Sequence, residues 1–277
     1  EMRRKFVKMH GAGNDYIYFD CLQEDIADKG GVALRLSDRH KGIGGDGAVF
    51  ICPSKVADAR MRMFNADGSE GNMCGNAIRC VAKYLYDSGI VSKEELRIET
   101  KSGIKSLHCC AEGGKVRSVR VDMGPASFDP AALPVLLEGE VIGRTVSVAG
   151  GQYAITCVSM GNPHCVLFTD PDSVDIEKVG PKFECDPLFP ERVNTEFVSV
   201  IGKNALKMRV WERGSGETLA CGTGACAAAA AACACGLCAR GEDITVQLRG
   251  GTLVIRVGET VSMTGEAVLV FTGEVEI

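Results

Sequence analysis

Two Cys-Gly steps, Cys74-Gly75 and Cys221-Gly222, are the residues of this sequence best suited to chemistry. Each follows a polar, Gly-containing run, 65–73 in the first case and 212–220 in the second. Each then opens an Ala-rich segment whose composition predicts a helix, over 77–86 and 225–235. A helix start offers free backbone N–H groups and a partial positive charge, so it holds a carboxylate and eases the ionisation of a thiol. Two such thiols on opposite faces of the carbon beside a shared carboxylate would invert its stereocentre. One sulfur removes the proton, the other supplies one, and the roles exchange in reverse. A single Cys-Gly step would be an ordinary helix cap; the matched second step points to racemisation or epimerisation.

The elements that position these thiols recur. Gly13-Asn14 returns as Gly161-Asn162, 148 residues later, and Cys74-Gly75 as Cys221-Gly222, 147 residues later. Aligned at the cysteines, Glu70 falls on Glu217 and Ala82 on Ala229. An internal repeat in 277 residues predicts two similar domains, each able to bury a core. We place them at 1–124 plus 267–277, and at 125–266, with the Pro-containing stretch 125–134 as linker. The tail from 267 has no counterpart at the end of the first half and is expected to return to the first sheet. Strand-like stretches outnumber helices; beyond the two after the cysteines, apolar spacing predicts helices over 26–37 and 173–183. Six consecutive alanines, 227–232, give a helix with no polar face, hence a buried one. The expected class is α+β, with two pseudo-symmetric domains, each a curved, barrel-like mixed β-sheet wrapped around a central helix.

Composition excludes several functions. Lys plus Arg is 31 and Asp plus Glu is 36, a net charge of -5, which argues against nucleic acid as a partner. No apolar run approaches the roughly 20 residues of a membrane span, and no apolar signal core stands at the start, so no membrane partner and a cytoplasmic location are expected. In that compartment the 14 cysteines should be reduced and mostly packed. Cys226, Cys233, Cys235 and Cys238 raise a thiol redox or zinc-binding alternative, but they lie in or just after one Ala-rich helix, not in two paired knuckles.

Other candidates are Asn14, Asn65, Asn162 and Asn194 in turn-like contexts, His164 after Gly161-Asn162-Pro163, and the charge pair Glu212-Arg213 after an apolar strand. At these positions the sequence resembles the diaminopimelate epimerase family. The motifs run through 9–15, 42–44, 64–70, 73–76, 159–164, 191–194 and 212–226, and Glu-Arg-Gly-x-Gly-Glu-Thr-x-x-Cys-Gly is the most diagnostic.

The resemblance implies an amino-acid epimerase of lysine and peptidoglycan-precursor biosynthesis, acting on diaminopimelate with no cofactor and no metal. It implies that Cys74 and Cys221 are the acid/base pair, and that Gly75, Asn76, Gly222 and Thr223 bind the reacting α-carboxylate. It further implies that Asn14, Asn65, Asn162, Asn194, Glu212 and Arg213 recognise the substrate, and that His164 with Glu212 supports proton transfer. A forked Arg suits a distal carboxylate, while Glu and amide oxygens suit a distal ammonium. One position departs from the better-known bacterial pattern, which has Gln after Gly-Ile-Gly-x-Asp where this chain has Gly47. A homodimer is implied too, with Phe271 near an aromatic contact position. The proline racemase relatives share the two-cysteine logic, but a small cyclic imino acid has no evident use for Asn65, Asn194 and Arg213 together.

Overall fold

The computed structural model describes residues 2–277, which group into two compact units. One runs to Asp122 and is completed by Thr264–Ile277; the other is Met123–Met263. The class is α+β, as expected.

The first unit contains, in chain order, β1 (Arg3–Gly11), β2 (Asn14–Asp20), α1 (Lys29–Leu36), β3 (Gly47–Cys52), β4 (Ala59–Asn65), β5 (Glu70–Gly71), α2 (Gly75–Asp87), β6 (Glu95–Thr100), β7 (Gly103–Glu112) and β8 (Lys115–Asp122). β1 pairs antiparallel with β2, and β2 pairs parallel with β3 through the α1 crossover. β4 pairs antiparallel with β3 and β5, and parallel with β6, which continues into the β6-β7-β8 meander.

The second unit adds one strand, β9 (Arg144–Val148), and then repeats the order: β10 (Gly151–Ser159), β11 (Pro163–Phe168), α3 (Ile176–Glu184), β12 (Asn194–Gly202), β13 (Ala205–Glu212), β14 (Gly216–Thr218), α4 (Gly222–Ala234), β15 (Asp243–Leu248) and β16 (Gly251–Val257). The pairing senses repeat as well: β10–β11 antiparallel, β11–β12 parallel, β12–β13 and β13–β14 antiparallel, β13–β15 parallel. The internal repeat read from two dipeptides is thus a repeat of topology. After β17 (Val261–Glu266) comes β18 (Val268–Glu276), and this tail strand pairs with β1.

In each unit the helix after the cysteine is the central one. α2 touches β1, β2, β4, β7 and β8; α4 touches β10 to β13 along with β15 and β16. Those strands keep Ala77, Ile78, Cys80, Val81, Ala82 and Leu85 of α2 out of water. Burial at α4 is more complete still, since every residue from Gly224 to Ala232 is buried. Six alanine side chains let surrounding strands approach closely, and they form a helix at little conformational cost. α1 and α3 pack on the outer faces, against β3 and β4 and against β12 to β14. Aromatic residues fill both cores, with Phe19 stacked on Phe50 in one and Phe183 edge-on to Phe197 in the other.

The outer helices are shorter than their apolar spacing suggests. α1 starts at Lys29, because the Asp28 side chain accepts from Gly31 N and caps the helix there. α3 starts at Ile176, because Pro171–Ser173 forms a separate 3-10 turn with Asp170 capping it. Neither β7 nor the short β5 and β14 gave a clear strand pattern in the sequence.

Candidate active site

The site residues fall into two clusters, one in each unit. In the first unit Cys74 is the residue before α2 in extended conformation, φ -142° and ψ 120°. β5 and the turn after it lead the chain into the helix start. That hairpin is clasped by Arg62 on β4, whose Nε and Nη2 donate to the two oxygens of Glu70 at 2.8 and 3.1 Å. Cys74 Sγ donates to Asn14 Oδ1 at 3.3 Å, and the same oxygen receives Asn76 Nδ2 at 3.4 Å. Asn14 Nδ2 in turn donates to Asp46 Oδ2 at 2.7 Å. Burial raises the Cys74 thiol, while the N–H groups of Ala77 and Asn76 and the Arg79 charge pull the other way.

Asn65 ends β4 exposed, its amide donating to Ser69 Oγ at 3.0 Å. Gly47 lies opposite Tyr16 in the β2–β3 pair. A Cβ at position 47 would stand 2.0 Å from Phe64 O and 2.9 Å from the Tyr16 ring, so this backbone excludes any side chain there.

In the second unit Cys221 precedes α4 with φ -123° and ψ 111°, and its Sγ accepts from Gly224 N at 3.3 Å. The β13–β14 hairpin is held as in the first unit: Arg209 Nε and Nη2 donate to Glu217 at 2.7 and 3.0 Å. Thr223 Oγ1 lies 3.6 Å from Cys221 Sγ and receives Asn162 Nδ2 at 3.3 Å. Asn162 Oδ1 faces His164 Nε2 at 3.0 Å, and His164 Nδ1 faces Glu196 Oε1 at 2.6 Å. Glu212 accepts from Thr218 Oγ1, and burial raises its carboxyl. Burial also pushes the Cys221 thiol well up, and the neighbouring Glu212 and Glu196 push it further.

Asn194 is buried and committed: Nδ2 donates to Pro163 O at 2.9 Å and Oδ1 accepts Arg213 N at 2.8 Å. These two bonds use one N–H and one lone pair of the amide. Arg213 is exposed, with Nη1 donating to Glu191 O at 3.0 Å. Gly75, Asn76, Gly222 and Thr223 are the first residues of α2 and α4, where backbone N–H groups have no helical partner.

Two buried residues at these clusters escaped the sequence reading. Glu196 has no exposed surface and holds His164 through its Nδ1. Arg79, also fully buried, donates to Gly75 O and to Asn76 Oδ1 just behind Cys74. A charge in an otherwise apolar run was the available signal for both. The thiols Cys233, Cys235 and Cys238 gather no metal-type cluster; among the described residues no three His, Cys, Asp or Glu side chains do.

The diaminopimelate epimerase family model matches residues 6–129 and 156–270. A diaminopimelate epimerase of Acetivibrio thermocellus is 52% identical over 279 residues, covering 99% of each chain. The chain belongs to the diaminopimelate epimerase family. It is accordingly an enzyme of the isomerase class. A family member of Methanococcus maripaludis is 50% identical over 278 residues, covering 99% of this chain and 100% of its own.

Among solved structures, a phenazine biosynthesis protein of the PhzF family from Bacillus anthracis superposes with TM-score 0.73 at 20% identity, covering all of both chains. A probable proline racemase from Agrobacterium radiobacter superposes with TM-score 0.70 at 14% identity, over 99% of this chain and 93% of its own. These two share the fold.

Proposed function

We propose that the protein epimerises LL-2,6-diaminopimelate to the meso form, with Cys74 and Cys221 as the thiolate/thiol pair. The observation that carries this is the equivalence of the two cysteines. Each stands in extended conformation at the start of its unit's central helix, behind an Arg–Glu clasped hairpin, in a chain of this family. The free N–H groups of Gly75, Asn76, Gly222 and Thr223 hold the reacting α-carboxylate and stabilise the charge that develops as the α-proton leaves. Asn14 and Asn162, each bonded into its cysteine's cluster, orient the substrate amino acid centre. Asn65, Asn194, Glu212 and Arg213 recognise the substrate, largely at its distal end, Arg213 pairing with the distal carboxylate. His164 and Glu212 assist proton transfer at Cys221, and Thr218 holds the Glu212 carboxyl in place.

The scheme needs no cofactor, and each thiol supplies the general acid or base term, typically 10²- to 10⁴-fold in rate. The same reading places the reaction in lysine and peptidoglycan-precursor biosynthesis in the cytoplasm; among the described residues no helix is long and apolar enough to cross a membrane. It also includes a homodimer, for which Leu269, Val270 and Phe271 on β18 offer an exposed apolar strip. Chiral chromatography of LL-diaminopimelate incubated with the protein tests the assignment, with proline and hydroxyproline in parallel. Meso product from the first and no inversion of the others is expected; the reverse pattern contradicts it.

A further inference from the structure

Behind the two sulfurs the repeat has diverged in charge. At offsets of 147 or 148 residues Tyr16 corresponds to His164, Val49 to Glu196, Asn65 to Glu212 and Arg79 to Cys226. The strand registers agree, since Tyr16 lies opposite Gly47 in β2–β3 as His164 lies opposite Asn194 in β11–β12. Cys221 thus has carboxylates behind it, whereas Cys74 has a guanidinium.

Arg79 sits in α2 about one turn beyond Cys74 and has 0% exposure. Its Nη1 donates to Gly75 O at 3.1 Å, Nη2 to Asn76 Oδ1 at 2.8 Å and Nε to Glu266 O at 3.1 Å. All three acceptors are neutral. A guanidinium keeps its proton inside proteins, and burying its charge is costly unless an opposite charge compensates it. The ionisable groups facing it are Cys80 on its own helix, Cys74 at the helix start, Tyr18 on β2 and Glu266 on β17. Burial raises Cys80 to about 11 and Tyr18 well up, and the Glu266 side chain is exposed. Around the thiol itself stand Tyr16, raised by burial, and Asp46, which reaches it through Asn14.

We propose that Arg79 is a positioning residue whose buried charge compensates a thiolate at Cys74, making Cys74 the more acidic of the two thiols. This rests on the reading that Cys74 and Cys221 are the acid/base pair. The link between the guanidinium and the thiol is a short one: Arg79 fixes the side chain of Asn76 at the helix start, and the backbone N–H groups of Asn76 and Ala77 favour the ionised sulfur. Burial raises both thiols, but Arg79 opposes it at Cys74 while Glu212 and Glu196 add to it at Cys221. Cys74 is then the sulfur that begins as base, and Cys221 the one that begins as acid.

The test is the pH dependence of iodoacetamide alkylation at each cysteine, read by peptide mass spectrometry on the wild type, Arg79→Gln and Arg79→Lys. In the wild type the Cys74 midpoint should lie at least about one pH unit below that of Cys221. Arg79→Gln should raise the Cys74 midpoint by about one unit, roughly a tenfold slowing at neutral pH, and leave Cys221 unmoved, while Arg79→Lys restores most of the shift. A wild-type Cys74 that titrates at or above Cys221, or an Arg79→Gln midpoint that stays in place, overturns the proposal. The wild-type comparison needs no variant to fold. Alkylation reads ionisation and not turnover, so an error in the epimerase assignment would show instead as absent turnover with the midpoints still in this order.

Discussion

His164 Nδ1 and Glu196 Oε1 are 2.6 Å apart, and neither side chain has any exposed surface. Glu196 Oε2 has no hydrogen-bond partner among the described residues. A carboxyl so placed gains little from water, and its burial raises it above the ordinary 4.5. The folded chain therefore retains a proton that the unfolded chain releases. The contribution of this group to stability is whole below about pH 4.5 and is lost as pH rises through the raised value. Urea unfolding from pH 5 to 8 should show Glu196→Gln losing less stability with rising pH than the wild type; parallel curves would contradict this.

Removing the Glu196 side chain has a different consequence. Glu196→Ala leaves the buried imidazole without its partner and opens a cavity, so a loss of about 3 kcal/mol is expected. Chemical denaturation at neutral pH measures it. A loss below about 1 kcal/mol would show that His164 finds another partner.

The Arg62–Glu70 and Arg209–Glu217 clasps titrate in the opposite sense. Hydrogen bonds from their arginines hold both carboxyls below the ordinary range. Their contribution is present above about pH 4.5 and disappears as pH falls through the lowered folded values. The stability gap between the wild type and Glu217→Gln, about 1 to 2 kcal/mol at pH 7 by analogy with other charged hydrogen bonds, should narrow between pH 5 and pH 3. Unfolding measured across that range decides it, and a constant gap would be the contrary result.

Gly224 marks how tightly the second cluster is built. A Cβ there would stand 2.8 Å from Glu196 Oε1 and 3.2 Å from Cys221 Sγ. Gly224→Ala should lower kcat at least about tenfold and cost about 1 to 3 kcal/mol, since both neighbours are held by other contacts. Steady-state kinetics with a parallel melt would show it; full activity would mean that Glu196 can move aside freely.

The two cysteines, the two central helices and the repeat were legible in the sequence because each rests on a local signal that occurs twice. The return of the tail to the first sheet was legible from its lack of a counterpart, though not its pairing with β1. β5 and β14 were not, since two or three residues carry no periodicity, and the capped starts of α1 and α3 were hidden by apolar residues continuing upstream. Glu196 and Arg79 were missed for a physical reason. In an apolar strand or helix a charged residue reads as the solvent-facing position, and only the packing of β12 under α4 and of α2 inside its sheet shows both to be buried.

The most direct measurement is deuterium incorporation at the α-carbon of LL-diaminopimelate in deuterated water, comparing the wild type with Cys74→Ala and Cys221→Ala. One deuteron per inverted centre is expected in the wild type, with meso formation slowed at least about 10³-fold in each variant. Near-normal turnover in either variant, or inversion without solvent deuterium, would contradict the two-thiol account.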